Sequence, residues 1–235
     1  MADGIYVSMT GAAARTAQLD AIADNLANAQ TPGFKASRPS FEAFLARGGA
    51  SDRAYAAAVG TALDLRPGPS SRTDNALDVL PDDGAYLAVQ LPGGERAYTR
   101  DGRLAVDAAR RLVQNGHPVL DRSGAAITLP PGVVPRVAED GTVLAGGDPV
   151  GALALFRLDG PMSRSGHALL QPAPGGRAEP TAARVRSGEV ELGNSGPLEG
   201  MVQLVTAQRQ FDASMQALQT YRTMDGRSSE LGRVK

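Results

Sequence analysis

The sequence predicts an α+β chain in which long N- and C-terminal helices pair in a coiled-coil-like unit, joined through extended linkers to a central all-β domain. Three observations predict it. Apolar residues at helical spacing occupy both ends, short apolar runs broken by turn residues fill the middle, and stretches rich in proline and glycine lie between.

The first element is read from Ile5, Met9, Ala12, Thr16, Leu19, Ala23 and Leu26, whose spacing alternates between four and three residues. That repeat lays one stripe along a helix, and Ile22 beside it widens the stripe. The helix is expected to stop within Asn28-Ala29-Gln30-Thr31-Pro32-Gly33. Proline disfavours helical backbone at the residue before it, and Gly33 permits a sharp change of direction. Residues 1–33 are therefore assigned to the N-terminal helix and 34–76 to an extended linker, punctuated by Gly48-Gly49, Gly60 and Arg66-Pro67-Gly68-Pro69. A short helix is expected near residues 41–46.

Residues 77–171 read as the β-rich domain, of meander or barrel type. Runs such as 85–89, 133–137 and 153–156 are separated by Pro92-Gly93-Gly94, Asp101-Gly102, Asn115-Gly116, Ser123-Gly124, Asp140-Gly141 and Gly146-Gly147. A return linker follows over 172–196, broken by Pro172, Pro174, Gly175-Gly176 and Pro180, with one more extended run at 185–192. The last element, 197–235, opens on Pro197, a residue tolerated at a helix start. Its stripe is Met201, Leu204, Gln208, Phe211, Met215 and Leu218, with Val202 and Val205 on the flank. Some 30 helical residues at a rise of ~1.5 Å make a rod of about 45 Å.

Composition narrows function by exclusion. Lys plus Arg (24) nearly cancel Asp plus Glu (25), so no broad field favours nucleic acid or an anionic membrane. The absence of cysteine removes disulfides, thiolate chemistry and Cys-ligated metals. The start Met1-Ala2-Asp3-Gly4 lacks the features of a cleaved secretory signal, and no apolar run approaches the roughly 20 residues of a membrane span. His117 and His167 lie far apart without a partner motif, Asp140-Gly141-Thr142 reads as a turn, and Tyr98-Thr99-Arg100 alternates like a strand. No nucleophile, phosphate-loop or dinucleotide motif appears in a supporting context. No enzymatic activity, cofactor, metal or small-molecule substrate is expected.

The segment Asn25-Leu26-Ala27-Asn28-Ala29-Gln30-Thr31-Pro32-Gly33-Phe34-Lys35 resembles the N-terminal signature of the bacterial flagellar basal-body rod and hook proteins. The resemblance continues in order through Leu77-Asp78-Val79, Ala97-Tyr98-Thr99-Arg100-Asp101-Gly102, Gly116-His117-Pro118-Val119-Leu120 and Gly188-Glu189-Val190-Glu191. Glu199-Gly200-Met201-Val202 and Gln208-Arg209-Gln210-Phe211-Asp212 are similar to its C-terminal signature. The opening Ile5-Tyr6-Val7-Ser8-Met9 and the compact middle look most like F-type proximal-rod members, with distal-rod members the near alternative. Three places depart from the pattern. Gly193-Asn194-Ser195-Gly196 keeps one Asn of Ser-Asn-Val-Asn, Leu104 stands for a Phe, and Ala108-Ala109-Arg110-Arg111 replaces a glycine turn.

The resemblance implies a structural subunit of an axial tube that transmits torque, its paired helices inside and its β-domain outside. It implies partners in further copies of the chain and in proximal and distal rod proteins, and contact in transit with the flagellar type III export apparatus. The implied location is the periplasmic rod of the basal body, reached without a cleaved signal peptide. Expected packing residues are Ile5, Met9, Ala12, Leu19, Ile22 and Leu26 on the first helix and Met201, Leu204, Val205, Gln208, Phe211, Met215 and Leu218 on the last. Asn25, Asn28, Thr31, Pro32, Gly33 and Phe34 form the signature turn. From pattern alone, a helical hairpin closed within one chain stands beside intersubunit packing, and a β-domain that binds cell wall or ring proteins stands beside the structural reading.

Overall fold

The computed structural model describes residues 2–45, 54–82, 84–166 and 168–231, with side chains at 2–8, 10, 39–45, 54–61, 221 and 225–231 outside the described set. The chain is α+β and forms two compact units. One contains residues 1–27, 37–62 and 196–235; the other contains 28–36 and 63–195.

In the first unit, α1 (Ala2–Ala27) and α2 (Pro197–Leu231) pack against each other. Leu26 lies over Gly200, where an added Cβ would stand 3.4 Å from its Cδ1. The most enclosed line on α2 runs Gly200, Leu204, Ala207, Phe211, Ser214 and Leu218, with Ala207 and Leu218 fully buried. It shares Leu204, Phe211 and Leu218 with the stripe read from sequence. Small residues replace Met201, Gln208 and Met215 at the alternate positions, because they let a neighbouring backbone approach closely. Among the described side chains of α1, Ala14 and Ile22 are buried, while Met9, Thr16 and Ala23 face outward.

The stretch expected to carry a short helix near 41–46 is instead strand at Ser37–Leu45, paired with Ala54–Leu63 in a two-stranded sheet. Alternation through Tyr55, Ala57, Val59, Thr61 and Leu63 is a period-two pattern that the high alanine content masks.

The second unit is β-rich. Its main sheet has six antiparallel strands, ordered Met162–Arg164, Leu169–Pro172, Arg96–Thr99, Tyr86–Gln90, Leu155–Asp159 and Arg177–Pro180. Tyr86–Gln90 is central and buried on both faces. Leu87 and Val89 join one apolar cluster with Leu112, Val119, Val143 and Val185, while Tyr86 and Ala88 join another with Tyr98, Phe156 and Leu170. Leu104, in place of the aromatic expected from the resemblance, belongs to the first cluster.

Turn chemistry explains the short strands. Asn115-Gly116 has positive φ at both residues (46° and 82°) and joins Leu112–Gln114 to His117–Pro118 as a type I′ hairpin. The turn that departs from the family's glycine keeps its left-handed position with Arg110 in it, at φ 61°. Asp107 supports it, accepting Arg110 N–H on its carbonyl (2.9 Å) and Arg111 N–H on its carboxylate (2.8 Å). Arg110→Gly is expected to stabilise the unit by about 0.5–1 kcal/mol by removing that strain. Urea unfolding of the two chains checks it, and a loss of stability would contradict it.

Candidate functional site

The second unit begins with the signature turn. Thr31 N–H donates to the Asn28 carbonyl (3.0 Å), Phe34 N–H to the Thr31 carbonyl (3.2 Å), and the Thr31 hydroxyl to Asn28 Oδ1 (3.2 Å). Gly33 takes φ 70°, and a Cβ there would lie 2.1 Å from the Asp101 nitrogen. Only glycine meets both conditions. Its N–H donates to the Glu191 carbonyl (2.8 Å), so the turn is fixed to the strand Glu189–Glu191. Phe34 is 1% exposed and carries the Arg164 guanidinium 4.4 Å above its ring, while Arg164 Nη2 donates to the Lys35 carbonyl (2.6 Å).

Lys35 then enters a buried ionic clamp. Its Nζ donates to Glu191 Oε1 (2.7 Å) and to the Arg66 carbonyl (2.9 Å). Glu191 Oε1 also accepts Gly68 N–H (3.0 Å), and Oε2 accepts Arg100 Nε (2.7 Å) and Nη2. Arg100 Nη1 reaches the Pro81 carbonyl (2.8 Å) and the Ala85 carbonyl. All three charged residues are buried. Tyr86 forms one wall, its ring centre 5.8 Å from Lys35 Nζ and 5.7 Å from the Arg100 guanidinium.

Burial pushes the Glu191 carboxyl upward, but Arg100 and Lys35, with Gly68 N–H, hold it below the usual glutamate range. Lys35 stays lowered: desolvation disfavours its charge, and one carboxylate shared with a nearby Arg100 returns only part of the loss. Burial also raises the Tyr86 phenol, keeping it neutral. The clamp is thus one carboxylate held between two cations.

Asn194, the one asparagine kept from the family's four-residue pattern, closes the same region. Its Oδ1 accepts Ala36 N–H (2.6 Å) and its Nδ2 donates to the carbonyls of Asp64 (2.7 Å) and Arg66 (3.0 Å). Gly193 beside it must be small, since a Cβ would stand 2.6 Å from the carbonyl oxygens of Asn28 and Ala29. In the other unit, Asn25 bonds both ways to the Ser37 main chain, each at 2.8 Å.

The structure thus gathers Asn28, Thr31, Pro32, Gly33 and Phe34 in one turn, with Asn25 anchoring the helix end before it. Among the helical residues named from sequence, Ile22 and Leu218 are buried; Ala12, Leu19, Leu26, Leu204, Phe211 and Met215 are half-buried; Met9, Met201, Val205 and Gln208 are exposed. The Ile5 side chain and His167 lie outside the described residues. The clamp itself escaped the sequence reading, although Lys35, Arg100 and Glu191 all stand inside recognised motifs.

The ionic clamp joins the signature turn and the strand Glu189–Glu191 to the β-core, each charged member engaged by its neighbours. Residues 5–35 match the model of flagella basal body rod proteins, 83–145 the D1 domain of flagellar hook protein FlgE/F/G, and 186–231 the C-terminal region of flagellar basal body rod FlgEFG proteins. The chain is 33% identical to flagellar basal-body rod protein FlgF of Salmonella typhimurium over 98% of both chains, and 34% identical to that of Mesorhizobium japonicum over 90% of both. Against rod protein FlgG of Buchnera aphidicola (Schizaphis graminum) identity is 27%, over 98% of this chain and 100% of the relative. The chain belongs to the flagellar basal-body rod protein family, and its likeness is to the F-type members.

Proposed function

We propose that this chain builds the rod by packing its terminal helices into an axial tube that transmits torque. The two terminal helices pair as a coiled-coil-like inner domain, and the β-rich unit braces the outside. Its partners are further copies of itself and other proximal and distal rod proteins, with the flagellar export apparatus met in transit to the periplasm. It acts without catalysis, cofactor or small-molecule substrate.

One observation carries this reading. Leu198, Met201, Val202 and Val205 recur at the i, i+3, i+4, i+7 spacing of a single helix face, and they are 77%, 54%, 61% and 52% exposed. A continuous apolar face left open on a helix already packed along its other side calls for a neighbour. Head-to-tail covering of such a face by successive subunits produces an open helical array. Removing residues 198–235 is expected to abolish incorporation into basal bodies, scored by immunoblot of the purified structures. Retained incorporation would refute the proposal.

A further inference from the structure

Of the five asparagines in the chain, four have side chains committed to local structure. Asn25 bonds both ways to the Ser37 main chain, and Asn28 Oδ1 accepts the Thr31 hydroxyl. Asn75 donates to Asp78 and accepts Leu77 N–H, while Asn194 is held by Ala36, Asp64 and Arg66. Asn115 differs. It is exposed, and its carboxamide makes no hydrogen bond to any described residue. It is also the one asparagine followed by glycine; Leu26, Ala29, Ala76 and Ser195 follow the others.

The turn supplies the second reactant. Gly116 N–H lies outside the ladder between Leu112–Gln114 and His117–Pro118 and donates to no described residue, and a Cβ there would meet nothing within 4 Å. A peptide nitrogen without a hydrogen bond or neighbouring bulk can close on the side chain before it. The Gly116 nitrogen attacks Asn115 Cγ: the N–Cγ bond forms, the Cγ–Nδ2 bond breaks, and the departing ammonia carries off the proton of the attacking N–H. Water then opens the five-membered imide at either carbonyl. One opening leaves aspartate; the other leaves isoaspartate, with the main chain rerouted through the side chain. The sum is an amide and water giving an acid and ammonia.

The type I′ backbone, with Asn115 at φ 46°, holds the nitrogen away from Cγ, so the ring closes when the turn opens. Opening costs little at a hairpin whose second strand, His117–Pro118, has two residues. We infer that Asn115-Gly116 is a site of spontaneous deamidation, and that isoaspartate formed there unfastens the hairpin. Isoaspartate adds one carbon to the main chain of a two-residue turn, which then loses the register of Gln114 with His117 and Val113 with Pro118. Leu112 and Val119, joined by Val119 N–H to the Leu112 carbonyl (2.8 Å) and both fully buried, are displaced from the core with it.

The test ages the purified full-length chain in neutral buffer beside Asn115→Gly, a variant that accepts positive φ and lacks the amide. Trypsin releases residues 112–122 as one peptide, cut after Arg111 and Arg122. In the parent this peptide should gain the mass of an amide-to-acid exchange and split into two products, one of them a substrate for isoaspartyl methyltransferase. Its rate should exceed that of the other four asparagines by about tenfold or more, since each of those must first break a hydrogen bond. The thermal midpoint of the aged parent should fall in step with its isoaspartate content, while that of Asn115→Gly holds. The parent's peptide map is decisive by itself should the variant fold poorly. An unchanged 112–122 peptide in the folded chain after the urea-unfolded chain has converted, equal conversion at another asparagine, or a midpoint indifferent to isoaspartate would each overturn the inference.

Discussion

Replacing Glu191 with glutamine is expected to lower the stability of the β-rich unit by about 3–5 kcal/mol, the usual cost of orphaning a buried charge. The substitution keeps the shape but removes the carboxylate shared by Lys35 Nζ and Arg100 Nε, each 2.7 Å away, and turns one accepting oxygen into an amide donor facing donors. Two cations would then face each other beside Tyr86. Urea unfolding followed by tyrosine fluorescence reads the effect, since Tyr86 and Tyr98 are buried in this unit and the chain has no tryptophan. Adding Lys35→Met should recover part of the loss by removing one of the orphaned cations, a non-additivity expected of residues in one network. A loss under about 1 kcal/mol would mean the clamp is solvated in practice.

The same carboxylate sets an acid limit. Because Glu191 is depressed in the folded chain, its contribution is fully present above the ordinary glutamate range and is lost as pH falls through its folded value. Acid unfolding of the parent chain should therefore steepen below that range. The glutamine variant, already lacking the contribution, should show a shallower dependence there.

These effects depend on contacts that a linear reading finds unevenly. Asn115-Gly116 and Gly146-Gly147 were legible as turns because their demand is local: both pairs take positive φ, and few residues accept it cheaply. The clamp was not legible, since Glu191 lies 156 residues from Lys35 and 91 from Arg100, and no period links them. The faces of the helices were legible only in part. A count of hydrophobicity ranks Met201 and Met215 above Gly200, Ala207 and Ser214, whereas close helix packing selects the smaller set. The strands Ser37–Leu45 and Ala54–Leu63 were obscured for a related reason: alanine suits many environments and mutes the alternation that marks a strand.

That displaced face leads to the second large effect. Met201→Glu together with Val205→Glu is expected to abolish rod incorporation while leaving the thermal midpoint of the β-rich unit unchanged. Both side chains are more than half exposed, so a charge there costs the isolated chain little. Within the proposed tube the same positions are covered, and each lost aliphatic contact forfeits about 1.5–3 kcal/mol before the expense of desolvating a carboxylate is added. Because every subunit presents the face to a successor, the penalty recurs at each step of the array. Ala207→Glu supplies the contrasting case: its side chain is 2% exposed, so the charge should disrupt the α1–α2 packing of the free chain itself, read as lost helical circular dichroism. Incorporation of the Met201/Val205 double variant at parental levels would show that this apolar face is not what the rod covers, and the helices would then have to meet their neighbours through α1.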